Sequence, residues 1–199
     1  MEHRESWDAS YEGDTDAPWD IHRPQPAIQR LANAGQMTGD VLDAGCGTGE
    51  HALLAAAMGA NAYGVDLSRV AVERARRKAV ERGLDARFDA GDVLTMPLSD
   101  TGFDVVIDSG LFHVFDDDNR ARYVAVLADA IRPGGRCYLA CFSDRQPGDW
   151  GPRRVTRAEL LAAFDDGWTV DRVDEIIFEI NPLPVASSVQ GWLAAIRRD

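Results

Sequence analysis

Apolar and polar positions along this chain fall into two repeating kinds of run. Short apolar runs bounded by glycine or aspartate, DVLDAG, ANAYGVD, ARFDAGD and FDVVIDSG, predict strands. The last is apolar on both faces, as a buried parallel strand is. Amphipathic runs that predict helices lie between them. EHALLAAAMG stops at Gly59, and SRVAVERARRKAVERG has Ser68 as its N-cap and Gly83 just past its end. The turn-rich TMPLSDTG separates the third and fourth strands. DDDNRARYVAVLADAIRPGG reads as a helix whose acidic start complements the helix dipole and whose Pro-Gly-Gly ends it. RCYLACFS is a fifth strand and TRAELLAAF a further helix. WTVDRVDEIIFEI and QGWLAAIRR, joined by NPLPVASS, form a terminal strand pair.

Ahead of the first strand, PQPAIQRLANAG predicts a short helix. Proline is tolerated at its start, Ile28 and Leu31 share a face, and Gly35 ends it. The overlapping APWDIHRPQP, residues 17 to 26, is of another kind. Its prolines exclude a helix interior or a central strand and push their predecessors towards extended backbone. Such a shaped segment brings Trp19 either against the body of the protein or over something that needs covering. Strands and helices in alternation predict a doubly wound α/β sheet with right-handed crossovers. No helix separates the last two strands, so at least one runs antiparallel. Without repeats or a linker, residues 1–199 are expected to form a single domain, with 1–35 as lid and helix and 40–199 as core.

Composition removes several classes of function. No apolar stretch approaches the roughly 18 residues of a membrane span. MEHRESWDAS lacks the apolar region of a secretory signal. Cys46, Cys137 and Cys141 show no paired metal spacing, which fits a reduced, cytoplasmic setting. A formal charge of −12 argues against a nucleic-acid backbone as partner. The chain is expected to be a monomer or weak homodimer acting on a small molecule.

The chemistry concentrates in DAGCGTG, residues 43 to 49, between the first strand and its helix. Small residues there let a ligand approach the backbone, and the helix start offers free N–H groups. Gly45, Gly47 and Gly49 give G-x-G-x-G; a dinucleotide fingerprint would need glycine where Glu50 stands, and no Walker Gly-Lys follows. Asp66 ends the second strand, where an acid can accept hydrogen bonds from both ribose hydroxyls. Asp43 beside the loop would repel a pyrophosphate, yet suits an amino group or a positive sulfur. In GDV at 91 to 93, Asp92 can accept from an adenine amino group and Val93 can pack on the ring; the alternative for Asp92 is a turn residue. These features favour S-adenosylmethionine over a nicotinamide cofactor.

VLDAGCGTGEH, GVDLS, GDV, FDVVIDSGLFH and IRPGG, in this order, resemble the successive motifs of class I S-adenosylmethionine-dependent methyltransferases. The resemblance covers nearly the whole chain. It implies a Rossmann-like seven-stranded sheet of order 3-2-1-4-5-7-6, last strand antiparallel, helices on both faces. It also implies cofactor contacts from Asp43, Gly45, Cys46, Gly47, Thr48 and Gly49, then from Asp66, Leu67 and Ser68, and from Gly91, Asp92, Val93 and Asp108.

WDASYEGDTDAPWDIHRPQPAI is similar to the N-terminal segment of the thiopurine, thiol and halide methyltransferases, which folds over the cofactor. By that likeness Trp19 covers the cofactor, and Trp7, Tyr11 and His22 face the acceptor. His22 stands where that group has glycine, so the same backbone there is not assured. DSGLFH at 108 to 113 resembles the bacterial heterocyclic-toxin methyltransferases, which O-methylate hydroxyquinolones. This implies an aromatic or heterocyclic hydroxyl acceptor, with Phe112 at the substrate; His113, just after the fourth strand, is the best-placed candidate base and His22 on the lid a second. A thiol, thiopurine or halide acceptor, or a cofactor-binding protein without turnover, stands as the alternative. No metal is expected, since DDD at 116 to 118 reads as a helix start. NPLPVASS reads as a wall of the acceptor pocket or as a plain hairpin connection.

Overall fold

A computed structural model describes residues 2–13, 16–184 and 186–199. Two helices come first, α1 (Glu2–Tyr11) and α2 (Pro26–Asn33). The chain then runs β1 (Asp40–Ala44), α3 (Glu50–Ala57), β2 (Asn61–Asp66), α4 (Arg69–Arg82), β3 (Ala86–Ala90) and β4 (Phe103–Ser109). It continues through α5 (Asp117–Ala130), β5 (Ile131–Phe142), α6 (Arg157–Ala163), β6 (Trp168–Leu183) and β7 (Ala186–Arg198). The strands form one seven-stranded sheet of order β3-β2-β1-β4-β5-β7-β6. β1 to β5 pair in parallel, while β7 is antiparallel to both β5 and β6. The order reverses between β1 and β4, and a crevice opens there at the carboxyl ends of the strands.

Successive side chains of a strand point to opposite faces, and each face meets different helices. Val41, Val105 and Ile107 pack with Ile28, Leu31, Leu53 and Val72 from α2, α3 and α4. Their neighbours Leu42 and Val106 pack with Tyr123, Leu127 and Leu160 from α5 and α6. Each side chain of this size taken out of water contributes about 1.5–3 kcal/mol. Both faces are therefore needed, which accounts for strands apolar on both sides. Ser68 caps α4, and its Oγ accepts from the Ala71 N–H at 3.1 Å. Thr156 and Glu159 form a reciprocal capping box on α6. Asp116 caps α5 by accepting from Asn119 N–H, so the DDD run does start a helix.

The structure differs from the sequence expectation in three places. α1 is a helix that EHRESWDASY, polar on most sides, does not announce. Tertiary contacts hold it: Asp8 accepts from Ser68 Oγ at 2.6 Å and from Val70 N–H at 3.3 Å, and Arg74 donates to the Tyr11 carbonyl. β5 begins at Ile131, because Ile131 already pairs with Phe103 before a register shift around Pro133 and the glycines. The terminal hairpin takes in most of NPLPVASS: β6 reaches Leu183 and β7 starts at Ala186. Its register slips between Glu179 and Leu183, where Pro182 has no N–H to give. Val185, within NPLPVASS, lies outside the described residues.

Candidate active site at the carboxyl ends of the strands

A cavity of about 770 Å³ occupies the crevice. Its floor is the glycine loop after β1 together with the ends of β2 and β3. Its roof is α1 and the strap of residues 16–25, and its far end is built from the turn after β4, Phe142 and Trp150.

The floor is a backbone cradle tied to carboxylates. Asp66 accepts from Gly47 N–H and from Ser68 N–H, both at 2.8 Å, so it fixes the loop after β1 to the start of α4. Burial raises its pKa, and the two N–H groups work against that rise. Asp43 lies under the loop with Oδ2 accepting from Ala52 N–H at 3.1 Å, while its buried Oδ1 has no hydrogen-bond partner. Burial pushes the Asp43 pKa up to about 7. Gly47 has φ +52, and a Cβ there would sit 3.0 Å from the Tyr11 hydroxyl. Gly49 has φ +88, and a Cβ would strike Ala75 and Phe88 at 2.7 and 2.8 Å. Asp92 makes a turn, accepting from Leu94 N–H at 2.9 Å, and lines the cavity as well.

The strap is clamped from both sides. Thr48 Oγ1 donates to Asp20 Oδ1 at 2.9 Å, and Lys78 in turn donates to Thr48. On the other side Asn181 of β6 donates its amide to the Ala17 and Asp20 carbonyls, at 3.0 and 2.9 Å. Gln25 exchanges two hydrogen bonds with the Glu179 backbone. Gln25 N–H also donates to His51 Nε2 at 3.1 Å. That bond leaves the His51 proton on Nδ1, 4.0 Å from the open Oδ1 of Asp43. Burial lowers the His51 pKa to about 4 and keeps the ring neutral. At the mouth, Trp19 packs edge-on against Trp7 at 5.6 Å and donates Nε1–H to the Tyr11 hydroxyl at 2.9 Å.

His22 keeps the backbone that a glycine would have, with φ 56, the only positive φ of a non-glycine among the described residues. Such a conformation costs roughly 1 kcal/mol or more. The ring is held by Asp16 at 2.8 Å and lies 3.6 Å from Asp20, so it turns outward, half-exposed, and does not line the cavity. Phe112 also stays outside: it is buried in the core against Phe164, with the Arg120 guanidinium over its ring. The expected acceptor contacts of these two residues therefore have no counterpart in the cavity wall.

The other expected residues divide in two. Trp7, Tyr11, Trp19, Gly45, Cys46, Gly47 and Thr48 line the cavity, as do Asp66, Leu67, Gly91, Asp92, Val93 and His113. Asp43, Gly49, Ser68 and Asp108 stand behind the wall and shape it. Asp108 is fully buried and accepts from Leu111 N–H at 2.8 Å and Phe112 N–H at 3.1 Å, which forms the turn that carries His113. Asp20, Gln25, His51, Phe142 and Trp150 were not singled out in the sequence yet build the walls. Asp20 and His51 sit inside the PWD and GTGEH stretches and could have been read there. Phe142 and Trp150 carry no local mark.

The donor set fits a cationic, phosphate-free nucleoside. Beside the unpartnered Oδ1 of Asp43, a second buried carboxylate oxygen, Oδ2 of Asp20, also lacks a partner, and it belongs to a residue of the cavity wall. Buried carboxylate oxygens of this kind call for a positive group. A methyltransferase domain family matches residues 41–135. The chain is 35% identical over 179 residues to the 2-heptyl-1-hydroxyquinolin-4(1H)-one methyltransferase of Mycobacteroides abscessus, covering 85% of this chain and 79% of that protein. A structure determined for the conversion of a disulfide bond into a thioacetal group during echinomycin biosynthesis superposes with TM-score 0.86 and 38% identity, over 99% of this chain and 93% of the other. The magnesium protoporphyrin IX methyltransferase of Synechocystis PCC 6803 with bound S-adenosylmethionine shares the fold, with TM-score 0.67 and 20% identity over 99% and 80% of the two chains. Fold and site thus define a nucleoside-binding doubly wound enzyme. The chain belongs to the class I S-adenosylmethionine-dependent methyltransferases, and S-adenosylmethionine is its cofactor.

Proposed function

We propose that the enzyme transfers a methyl group to a hydroxyl on a small, apolar heteroaromatic acceptor. The observation that carries this reading is the asymmetry of the cavity. Its floor is lined by carboxylates and glycine backbone, whereas its far end is aromatic and aliphatic: Phe142, Trp150, Val114, Phe115, Ile180 and Leu183. A planar apolar ring fits such walls. The hydroxyquinolone methyltransferase of M. abscessus supports the same choice of acceptor.

In this reading Asp66 receives the ribose hydroxyls, and Asp92 and Val93 hold the adenine. The open oxygen of Asp20 at the wall faces the ammonium end and Asp43 adds its charge from just behind the wall, with Gly45 and Gly47 as the backbone cradle. When bound, S-adenosylmethionine supplies an electrophilic methyl on a positive sulfur, and displacement there needs position and dryness more than acid or base. Trp7, Tyr11 and Trp19 on α1 and the strap exclude water. Residues 1–199 act as one catalytic domain with 1–35 as its cover. A monomer or weak homodimer in the cytoplasm, without a nucleic-acid partner, fits the acidic surface and three buried free cysteines. No helix among the described residues is long and apolar enough to cross a membrane.

Sulfur is the second reading, because the structure from echinomycin biosynthesis is also a full-length relative. Calorimetry with S-adenosylmethionine, its demethylated product and NAD, followed by product analysis on hydroxyquinolones, dithiols and halides, tests both. Methylated hydroxyquinolone is the expected product. Turnover confined to sulfur acceptors or halides would displace the hydroxyl reading.

A further inference from the structure

We infer that His113 acts as a hydrogen-bond donor to an acceptor that arrives already ionised, and that the cavity offers no histidine as a base; this rests on the hydroxyl reading above. The inference starts from one bond. The backbone N–H of Phe142 donates to His113 Nδ1 at 2.9 Å, with both groups buried. An N–H can only donate, so Nδ1 must offer a lone pair, and in a neutral imidazole the proton then sits on Nε2. Nε2 faces Gly110 at the cavity wall, where a Cβ would stand 3.4 Å away. His113 therefore turns an N–H, not a lone pair, towards that wall.

Its surroundings keep it so. Burial, with the positive charges of Arg120 and Arg154, pushes the His113 pKa down to about 3. Arg120 donates to the Phe112 carbonyl and reaches Glu159 at 3.6 Å. Arg154 donates to the carbonyls of Gln146, Gly148, Trp150 and Pro152 and lies over the rings of Phe142 and Trp150. The nearest acid on its own turn, Asp108, is occupied by the Leu111 and Phe112 N–H groups. The second histidine of the cavity, His51, is committed in the same way, its Nε2 lone pair taken by Gln25 N–H. At the far end the chain thus sets a neutral donor and two arginines behind apolar walls, in a protein of net charge −12. An N–H donor there pairs more strongly with an anionic oxygen than with a neutral one.

The acceptor this selects is a hydroxyl acidic enough to ionise near neutral pH, such as an N-hydroxy or vinylogous-acid hydroxyl on a heteroaromatic ring. The proton leaves to bulk solvent before binding. The acceptor oxygen then uses a lone pair to form the new O–CH3 bond, the S–CH3 bond breaks with its electron pair to sulfur, and a neutral ether and a neutral thioether result. One N–H aimed at the oxygen holds it in line.

The test is kcat/KM from pH 5 to pH 9 for a series of hydroxy-heteroaromatics of graded acidity. The expected inflection moves with each acceptor's own pKa and levels off above it. With S-adenosylmethionine saturating at every pH, an inflection fixed at one pH for every acceptor would overturn the proposal by revealing an enzyme base. Two variants add a readout that needs no turnover. His113→Gln, which can still donate, keeps kcat/KM within about fivefold, and His113→Leu loses about thirtyfold, the scale of a lost hydrogen bond to a charged group. Both retain wild-type calorimetric affinity for S-adenosylhomocysteine. Full activity in His113→Leu would refute the donor role, and so would loss of all turnover in Asp20→Asn with cofactor affinity intact, since Asp20 would then be the base. No methylation of any hydroxyl in the series would remove the hydroxyl reading itself, and this proposal with it.

Discussion

The two ends of the cavity are built by different means. The floor comes from the first residues of the loops that directly follow β1, β2 and β3, each next to its strand in sequence. Its carboxylates Asp66 and Asp92 are fixed by backbone N–H groups within reach of the same loops. The far end comes from distant pieces: the turn after β4, Phe142 with Trp150, and the tip of the β6–β7 hairpin. A local loop can hold one ligand geometry on any chain with this fold. An assembly of distant segments can be altered piece by piece without disturbing the floor.

The largest expected effect comes from breaking the floor. Gly49→Val places a branched side chain at φ +88 against Ala75 and Phe88, and should destabilise the protein by roughly 3 kcal/mol, read from the chemical denaturation midpoint. An unchanged midpoint would show that the cradle yields more easily than its packing implies.

Next is the charge of the floor. Asp43 has its pKa raised to about 7, so it gains a proton as pH falls below that value and loses its attraction for a cation. Affinity for S-adenosylmethionine should therefore weaken as pH drops from 8 to 5, by up to about tenfold per pH unit. In Asp43→Asn the affinity should be weak and nearly flat with pH. Calorimetry across that range checks both, and a flat wild-type profile would remove Asp43 from the ligand's surroundings.

The far end should break independently. Trp150→Ala removes a ring that packs edge-on to Phe142 at 6.3 Å, and should raise the acceptor KM about tenfold, the scale of one lost aromatic wall. Affinity for S-adenosylhomocysteine should stay within twofold. If both change together, the two ends are one cooperative unit and the comparison fails.

The smallest effect tests the strap that spans them. Asn181→Ala removes two hydrogen bonds to the strap backbone, and should weaken S-adenosylhomocysteine binding about fivefold, about 1 kcal/mol for the pair after water takes their place. Stopped-flow dissociation should show the change in the off-rate. An unaltered off-rate would mean that Thr48, His51 and the Gln25–Glu179 pair hold the strap without the Asn181 side chain.

The floor was legible because its geometry is local. A strand, a glycine loop and a helix start lie within a dozen residues, and an acid at the next strand end completes the unit. The Ser68 cap was equally plain, since a cap lies beside the helix it caps. α1 was not legible, because its stability comes from Asp8 meeting the start of α4, some sixty residues away in sequence. The same limit applied to His22. The sequence marked it as a departure from glycine, but only its two aspartate neighbours explain how the left-handed backbone survives. His113 was picked out for its position after β4, and that much is local. Its protonation is set by the Phe142 N–H on another strand, and this turns a candidate base into a donor.

By itself, then, the sequence determined the alternation of strands and helices, the antiparallel end of the sheet and the glycine loop with its acids, which follow from periodicity and short-range backbone rules acting within one βα unit. The strand order and the cover were legible only through the resemblance to the methyltransferases. The tertiary structure alone decided which side chains wall the far end, which carboxylate oxygens stay open, and which nitrogen of His113 carries the proton. Each of those depends on a partner distant in sequence, whose position exists only once the sheet has closed its layers.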